Sequence, residues 1–154
     1  MEAVIFTGIQ GSGKSSFYLE RFYRTHVRMN LDMLKTRRRE AILLRACIEA
    51  KQSFVVDNCN STVAERARYI EIAKRGHFRV AGYYLESKIA DALRRNEQRP
   101  PDQRVPRAGV LGTYKKLQIP TLDEGFDALF FVRLSAHGVF SVEEWQSEVH
   151  DQRE

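Results

Sequence analysis

Residues 8–15 read Gly-Ile-Gln-Gly-Ser-Gly-Lys-Ser. Gly8, Gly11 and Gly13 let the backbone curl until successive N–H groups point inward. A helix that opens directly behind them adds the positive end of its dipole, so the curl becomes a cradle for phosphate. Lys14 stands where its ammonium reaches the β- and γ-phosphates of a nucleotide, and Ser15 where its hydroxyl ligates magnesium. The spacing is the full Walker A pattern. It predicts a site for ATP or another nucleoside triphosphate with Mg²⁺, held by Gly8, Gln10, Gly11, Ser12, Gly13, Lys14, Ser15 and Ser16.

Three further groups could complete a transfer site. Asp57 closes the apolar run Phe54-Val55-Val56, about forty residues on, where a carboxylate can orient the metal, often through water. An Asx turn would leave the same trace. Asp32 stands at the start of a predicted helix, and the helix N-terminus keeps such a carboxylate ionised. It can then take the proton of an attacking hydroxyl, with Lys35 three residues on along the same helix face. An ordinary first-turn aspartate reads identically by spacing. Arg95 and Arg99 lie four apart at a helix end, before Pro100-Pro101. Arginines carried on a lid stabilise the charge that a loose phosphoryl transition state spreads over its oxygens. Basic residues complementing a helix C-terminus would also look like this, and Arg94 fits that role. The lid is expected over about residues 97–107.

These residues need elements to position them. Strands are predicted at residues 3–7, 26–29, 54–57, 79–85 and 128–134. Helices are predicted at 14–24, at 32–51 and from a Thr62/Glu65 capping box to about Gly76. Further helices run from a Ser87 cap to about Gln98, and from Pro106 to about Leu117. A second capping box, Ser141 and Glu144, predicts a C-terminal helix. Strands alternating with helices argue for an α/β fold with a central parallel sheet, in one domain over residues 1–154.

The chain has 154 residues, 43% hydrophobic and 29% charged, which suits one soluble core. No apolar run approaches the ~20 residues of a membrane span, so no membrane partner is expected. Nothing at the N-terminus suggests export. Cys47 and Cys59 lack metal-ligand spacing and read as reduced thiols of a cytoplasmic protein. His26, His77, His137 and His150 are scattered, which argues against a metal cluster or a Ser/His/Asp hydrolase. A net charge of +5 and a pI near 9.4 favour a polyanionic partner. Arg37, Arg38, Arg39, Arg104 and Arg107 are the residues expected to line its approach. No obligate protein partner is evident.

Taken together, the chain resembles the kinase domain of the polynucleotide 5′-hydroxyl kinases from about residue 3 to residue 132. Asn30-Leu31-Asp32 resembles that family's Asn-Arg-Asp, and Asp57-Asn58-Cys59-Asn60 its Asp-Asn-Thr-Asn. Arg66-Ala67-Arg68-Tyr69, the lid run Arg94–Arg99, Val105-Pro106 and residues 120–126 run parallel as well. Leu31 departs from the family arginine. Lys35 stands where one member carries an arginine, keeping the charge without the planar fork. The resemblance implies a kinase-type P-loop fold with an arginine-rich lid and Asp32 as general base. It implies γ-phosphoryl transfer to the 5′-OH end of DNA or RNA, with Asp32, Lys35 and Asp57 at the acceptor. Two other functions share the same motifs: kinases of small metabolites or sugar nucleotides, as in zeta-type toxins, and nucleotide-binding modules that have lost transfer.

Overall fold

The computed structural model describes residues 1–146. Its core is a sheet of six strands in the order β2-β3-β1-β4-β5-β6. These are β1 (Glu2–Thr7), β2 (Val27–Met29), β3 (Phe54–Val56), β4 (Arg79–Leu85), β5 (Ala128–Leu134) and β6 (Phe140–Glu144). The first five are mutually parallel and β6 runs antiparallel to β5. Parallel strands joined by helical crossovers bury both faces, and β1 shows why. Its residues alternate by strand periodicity. Ala3 and Ile5 enter one core, Val4 and Phe6 the other, and all four are fully buried.

The first core is covered by α3 (Arg37–Ala50), α4 (Val63–Arg75), α5 (Ile89–Glu97) and α6 (Arg107–Lys116), through Leu44, Cys47, Tyr69, Ala73, Ala92 and Val110. The second is covered by α1 (Lys14–Arg21) with Phe17 and Tyr18, joined by Phe22 and by Phe140 of β6. A four-residue helix, α2 (Leu31–Leu34), buries none of its residues.

Four sequence expectations are corrected. Residues 32–51 do not form one helix. Lys35 takes φ 74°, which ends α2, and Thr36 caps α3 by accepting from the Arg39 amide. Lys35 therefore shares no helix face with Asp32. Ser141 and Glu144 open no helix, because Phe140 and Val142 pair with Leu134 and Val132 across the β5–β6 ladder. The remainder of that expected helix, with His150, lies outside the described residues. Ser87 does not cap α5, whose N-cap is Lys88. Its hydroxyl instead accepts from the Ile9 amide and donates to the Leu85 carbonyl, tying the end of β4 to the glycine-rich loop. Finally, α1 stops at Arg21, short of Arg24.

Candidate active site

The loop between β1 and α1 sits at the C-terminal edge of the parallel strands, where open α/β sheets bind ligands. Gly11 and Gly13 hold φ of 81° and 99°, the region where side chains are disfavoured. At Gly11 a Cβ would stand 2.4 Å from the Ala92 carbonyl oxygen, so α5 packs directly on the loop. The amides of Gly11, Gly13 and Lys14 donate to no group among the described residues, as a phosphate cradle requires. Lys14 Nζ donates to the Gly8 and Ile9 carbonyls, both at 2.9 Å, folded back over the curl it would share with phosphate. Gln10 turns its side chain away from the cradle and donates to Thr113 Oγ1 of α6 at 3.0 Å. Ser12 is buried with its hydroxyl unpartnered, whereas Ser16 is exposed on the first turn of α1.

Asp57 lies one residue beyond β3, and its amide donates to the Met29 carbonyl. Its carboxylate is buried. Oδ2 accepts from Ser15 Oγ at 3.1 Å and from Arg28 Nε at 2.8 Å, while Oδ1 has no hydrogen-bond partner among the described residues. Neighbouring oxygens of an octahedral magnesium shell, with bonds of about 2.0–2.1 Å, lie roughly 3 Å apart, close to this spacing. Magnesium takes few protein ligands when phosphates supply the rest. One carboxylate, one hydroxyl and an unsatisfied buried oxygen therefore fit it. Among the described residues no three His, Cys, Asp or Glu side chains group to hold a metal by themselves.

Asp32 is brought to this place by a reciprocal clasp. Asn30 Nδ2 donates to the Asp57 carbonyl at 2.6 Å, and its Oδ1 caps α2 at the Met33 amide. In return the Leu31 amide donates to Asn58 Oδ1 at 3.0 Å. The helix bearing Asp32 is thus pinned to the turn bearing Asp57. Asp32 is exposed and its carboxylate makes no hydrogen bond or ion pair among the described residues. Asn58 also reaches Glu40, a buried carboxylate that accepts from the Tyr69 phenol at 2.9 Å and from Arg37 at 3.0 Å. Burial, and then the neighbouring Glu40, push the Tyr69 phenol above its ordinary pKa, so it stays a donor.

The residues expected on the lid divide. Arg95 Nη1 donates to the Gly11 carbonyl at 3.1 Å and so touches the cradle. Arg99 offers a side chain that makes no hydrogen bond among the described residues, while its carbonyl accepts from Arg104 Nε. Asn96, buried, closes the base of the loop by bonding both the amide and the carbonyl of Val105. A cavity of about 330 Å³ lies beneath, with Leu93, Asn96, Val105 and Arg107 in its wall. Arg94 pairs with Asp91 on the helix surface. Of the basic run, Arg37 and Arg39 are engaged at the start of α3, and Arg38 projects outward.

Residues 4–118 match the AAA domain family, most of the chain and the whole of the site. The chain belongs to the AAA domain family. This AAA domain is 30% identical over 132 residues to the bifunctional polynucleotide phosphatase/kinase of Schizosaccharomyces pombe, covering 81% of the chain but only 32% of that protein. Its fold matches Kti12 of Chaetomium thermophilum, solved with ADP-AlF3, at TM-score 0.66 and 14% identity over 88% and 92% of the two chains. A gluconokinase of Sinorhizobium meliloti aligns at TM-score 0.63 and 18% identity, over 87% and 83%. The AAA domain is therefore a nucleotide-binding domain of P-loop kinase type, a six-stranded sheet between helices. No helix among its described residues is long and apolar enough to cross a membrane.

Arg28 carries no sequence signal: a single arginine in a three-residue strand belongs to no motif. Only the pairing of Met29 with Val56 reveals that the neighbouring side chain reaches Asp57.

Proposed function

We propose that this AAA domain transfers the γ-phosphoryl group of ATP to the 5′-hydroxyl of a nucleic-acid end, with Asp32 as general base. One observation carries the reading: an unpaired, exposed carboxylate is clasped by Asn30 and Asn58 to the strand end that bears Asp57. The relative named a polynucleotide phosphatase/kinase supports the choice of acceptor. The chain spans about a third of that relative's length, so the inference extends only to the transfer step.

The loop amides and Lys14 would hold the β- and γ-phosphates. Ser15 and Asp57 would hold magnesium, which would supply positive charge against the phosphates. Asp32 would accept the proton of the attacking 5′-OH as its oxygen bonds to phosphorus. Arg95 and Arg99 would steady the equatorial oxygens while the bond to the departing diphosphate breaks, and closure of the lid would exclude water. Lys35 and the outward Arg38 would meet the strand's phosphates.

Label transfer from γ-labelled ATP to 5′-OH oligonucleotides, beside a panel of sugars and nucleosides, tests this. Asp32→Asn is expected to leave nucleotide affinity unchanged and lower transfer by ~10²–10⁴. Collapse of nucleotide affinity would move Asp32 to the metal. Sugars labelled as well as oligonucleotides would favour the small-molecule kinase.

A further inference from the structure

The side chain that stands between Ser15 and Asp57 is a cation. Arg28 Nε donates to Asp57 Oδ2 at 2.8 Å and its Nη2 donates to Ser15 Oγ at 3.0 Å. Ser15 Oγ donates in turn to the same carboxylate oxygen, closing a triangle. Ser15 Oγ and one of the two Asp57 carboxylate oxygens, Oδ2, are therefore already engaged by a guanidinium, and Oδ1 alone is left over among the described residues. The Arg28 side chain is 27% exposed and Asp57 only 1%, so the arginine is the partner with room to leave. While so engaged it already lies over an aromatic ring. The guanidinium lies 5.8 Å from the ring centroid of Tyr18, whose phenol is fixed by donating to the His26 carbonyl at 2.7 Å.

We propose that Arg28 is a displaceable stand-in for magnesium. In the nucleotide-free protein its charge neutralises Asp57 and keeps Ser15 and Asp57 at ligand spacing. A magnesium ion and a guanidinium cannot both sit against one carboxylate oxygen and one hydroxyl without mutual repulsion. Binding of the metal with nucleotide therefore drives Arg28 outward along the Tyr18 ring. Free magnesium, lacking the help of phosphates, does not displace it, so the metal site opens only when nucleotide is present. The proposal rests on Ser15 and Asp57 being the metal's protein ligands.

The test is binding of a fluorescent ADP analogue to the nucleotide-free protein, titrated with Mg²⁺, with melting temperature as a second readout. Arg28→Gln is expected to lower the Mg²⁺ midpoint about 5–150-fold, the usual range of a coupling between two sites. It should also let Mg²⁺ alone raise the melting temperature, an effect expected to be absent in the wild type. Arg28→Lys keeps a charge without the fork and should shift the midpoint less, and it serves if the glutamine variant folds poorly. A midpoint unchanged or raised in both variants would overturn the proposal and place Arg28 beside the bound metal or on phosphate. Asp57→Asn separates the two layers of inference. It should raise the midpoint with or without Arg28; if it does not, the metal assignment itself fails and the proposal falls with it.

Discussion

Two arginine–carboxylate pairs in this molecule have the same chemistry and opposite character. Arg66 and Glu124 are 0% and 6% exposed, joined by two bonds of 2.7 and 3.0 Å. The third guanidinium nitrogen of Arg66, Nη1, donates to the Asn60 carbonyl, and Glu124 also accepts from the Thr121 amide. Every side-chain nitrogen and oxygen of that pair has a partner. It staples α4 and the turn after Asp57 to residues 121–124, and Asn60 in turn donates to the Phe6 carbonyl at the end of β1. The pair of Arg28 and Asp57 is open on one side, leaves Asp57 Oδ1 orphaned, and shares a hydroxyl with the glycine-rich loop. A satisfied buried pair is architecture. A buried carboxylate oxygen that no protein donor meets is a candidate for a functional site.

The largest expected effect comes from the closed pair. Arg66→Ala leaves Glu124 charged and buried, and should lower unfolding free energy by about 3–5 kcal/mol in urea denaturation, with no rescue by Mg²⁺. A loss below about 1 kcal/mol would remove the contrast. Asp57→Asn keeps the shape and removes the charge. It should hold stability or raise it by up to about 2 kcal/mol while the Mg²⁺ midpoint for nucleotide binding rises, the usual behaviour of a site residue. A destabilisation as large as at Arg66 would make Asp57 architectural too. Smallest is the surface pair Arg94–Asp91, where Arg94→Ala should change stability by less than about 0.5 kcal/mol and leave transfer intact. A strong loss of transfer there would enlarge the lid's working set beyond Arg95 and Arg99.

The same contrast explains what was legible in the sequence. The cradle was readable because its residues are contiguous: glycines, lysine and serine follow one another in one loop between β1 and α1. The alternation of strands and helices was readable because burial on both faces makes apolar runs such as Phe54-Val55-Val56. Arg28 and the Arg66–Glu124 staple were not, since each joins residues remote in the chain and neither arginine differs locally from a surface one. Residues 141–144 misled for a related reason. Ser-Val-Glu-Glu carries a cap's local pattern, but Phe140 and Val142 find their partners on β5. The break at Lys35 was silent because a lysine, not a glycine, takes the left-handed conformation. Motif resemblance pointed to Asn30 and Asn58 without stating their work, which is to clasp two strand ends together.

The sheet's two margins bear on how this molecule behaves in a crowded solution. The outermost strand on one side, β2, is only three residues long, and β6 on the other presents Ser141, Glu143 and Glu144 among its five residues. Short or charged margins are poor templates for a strand from another molecule. Growth of the sheet from copy to copy is disfavoured at both ends. Concentrated protein should therefore resist fibrillar aggregation even when partly warmed.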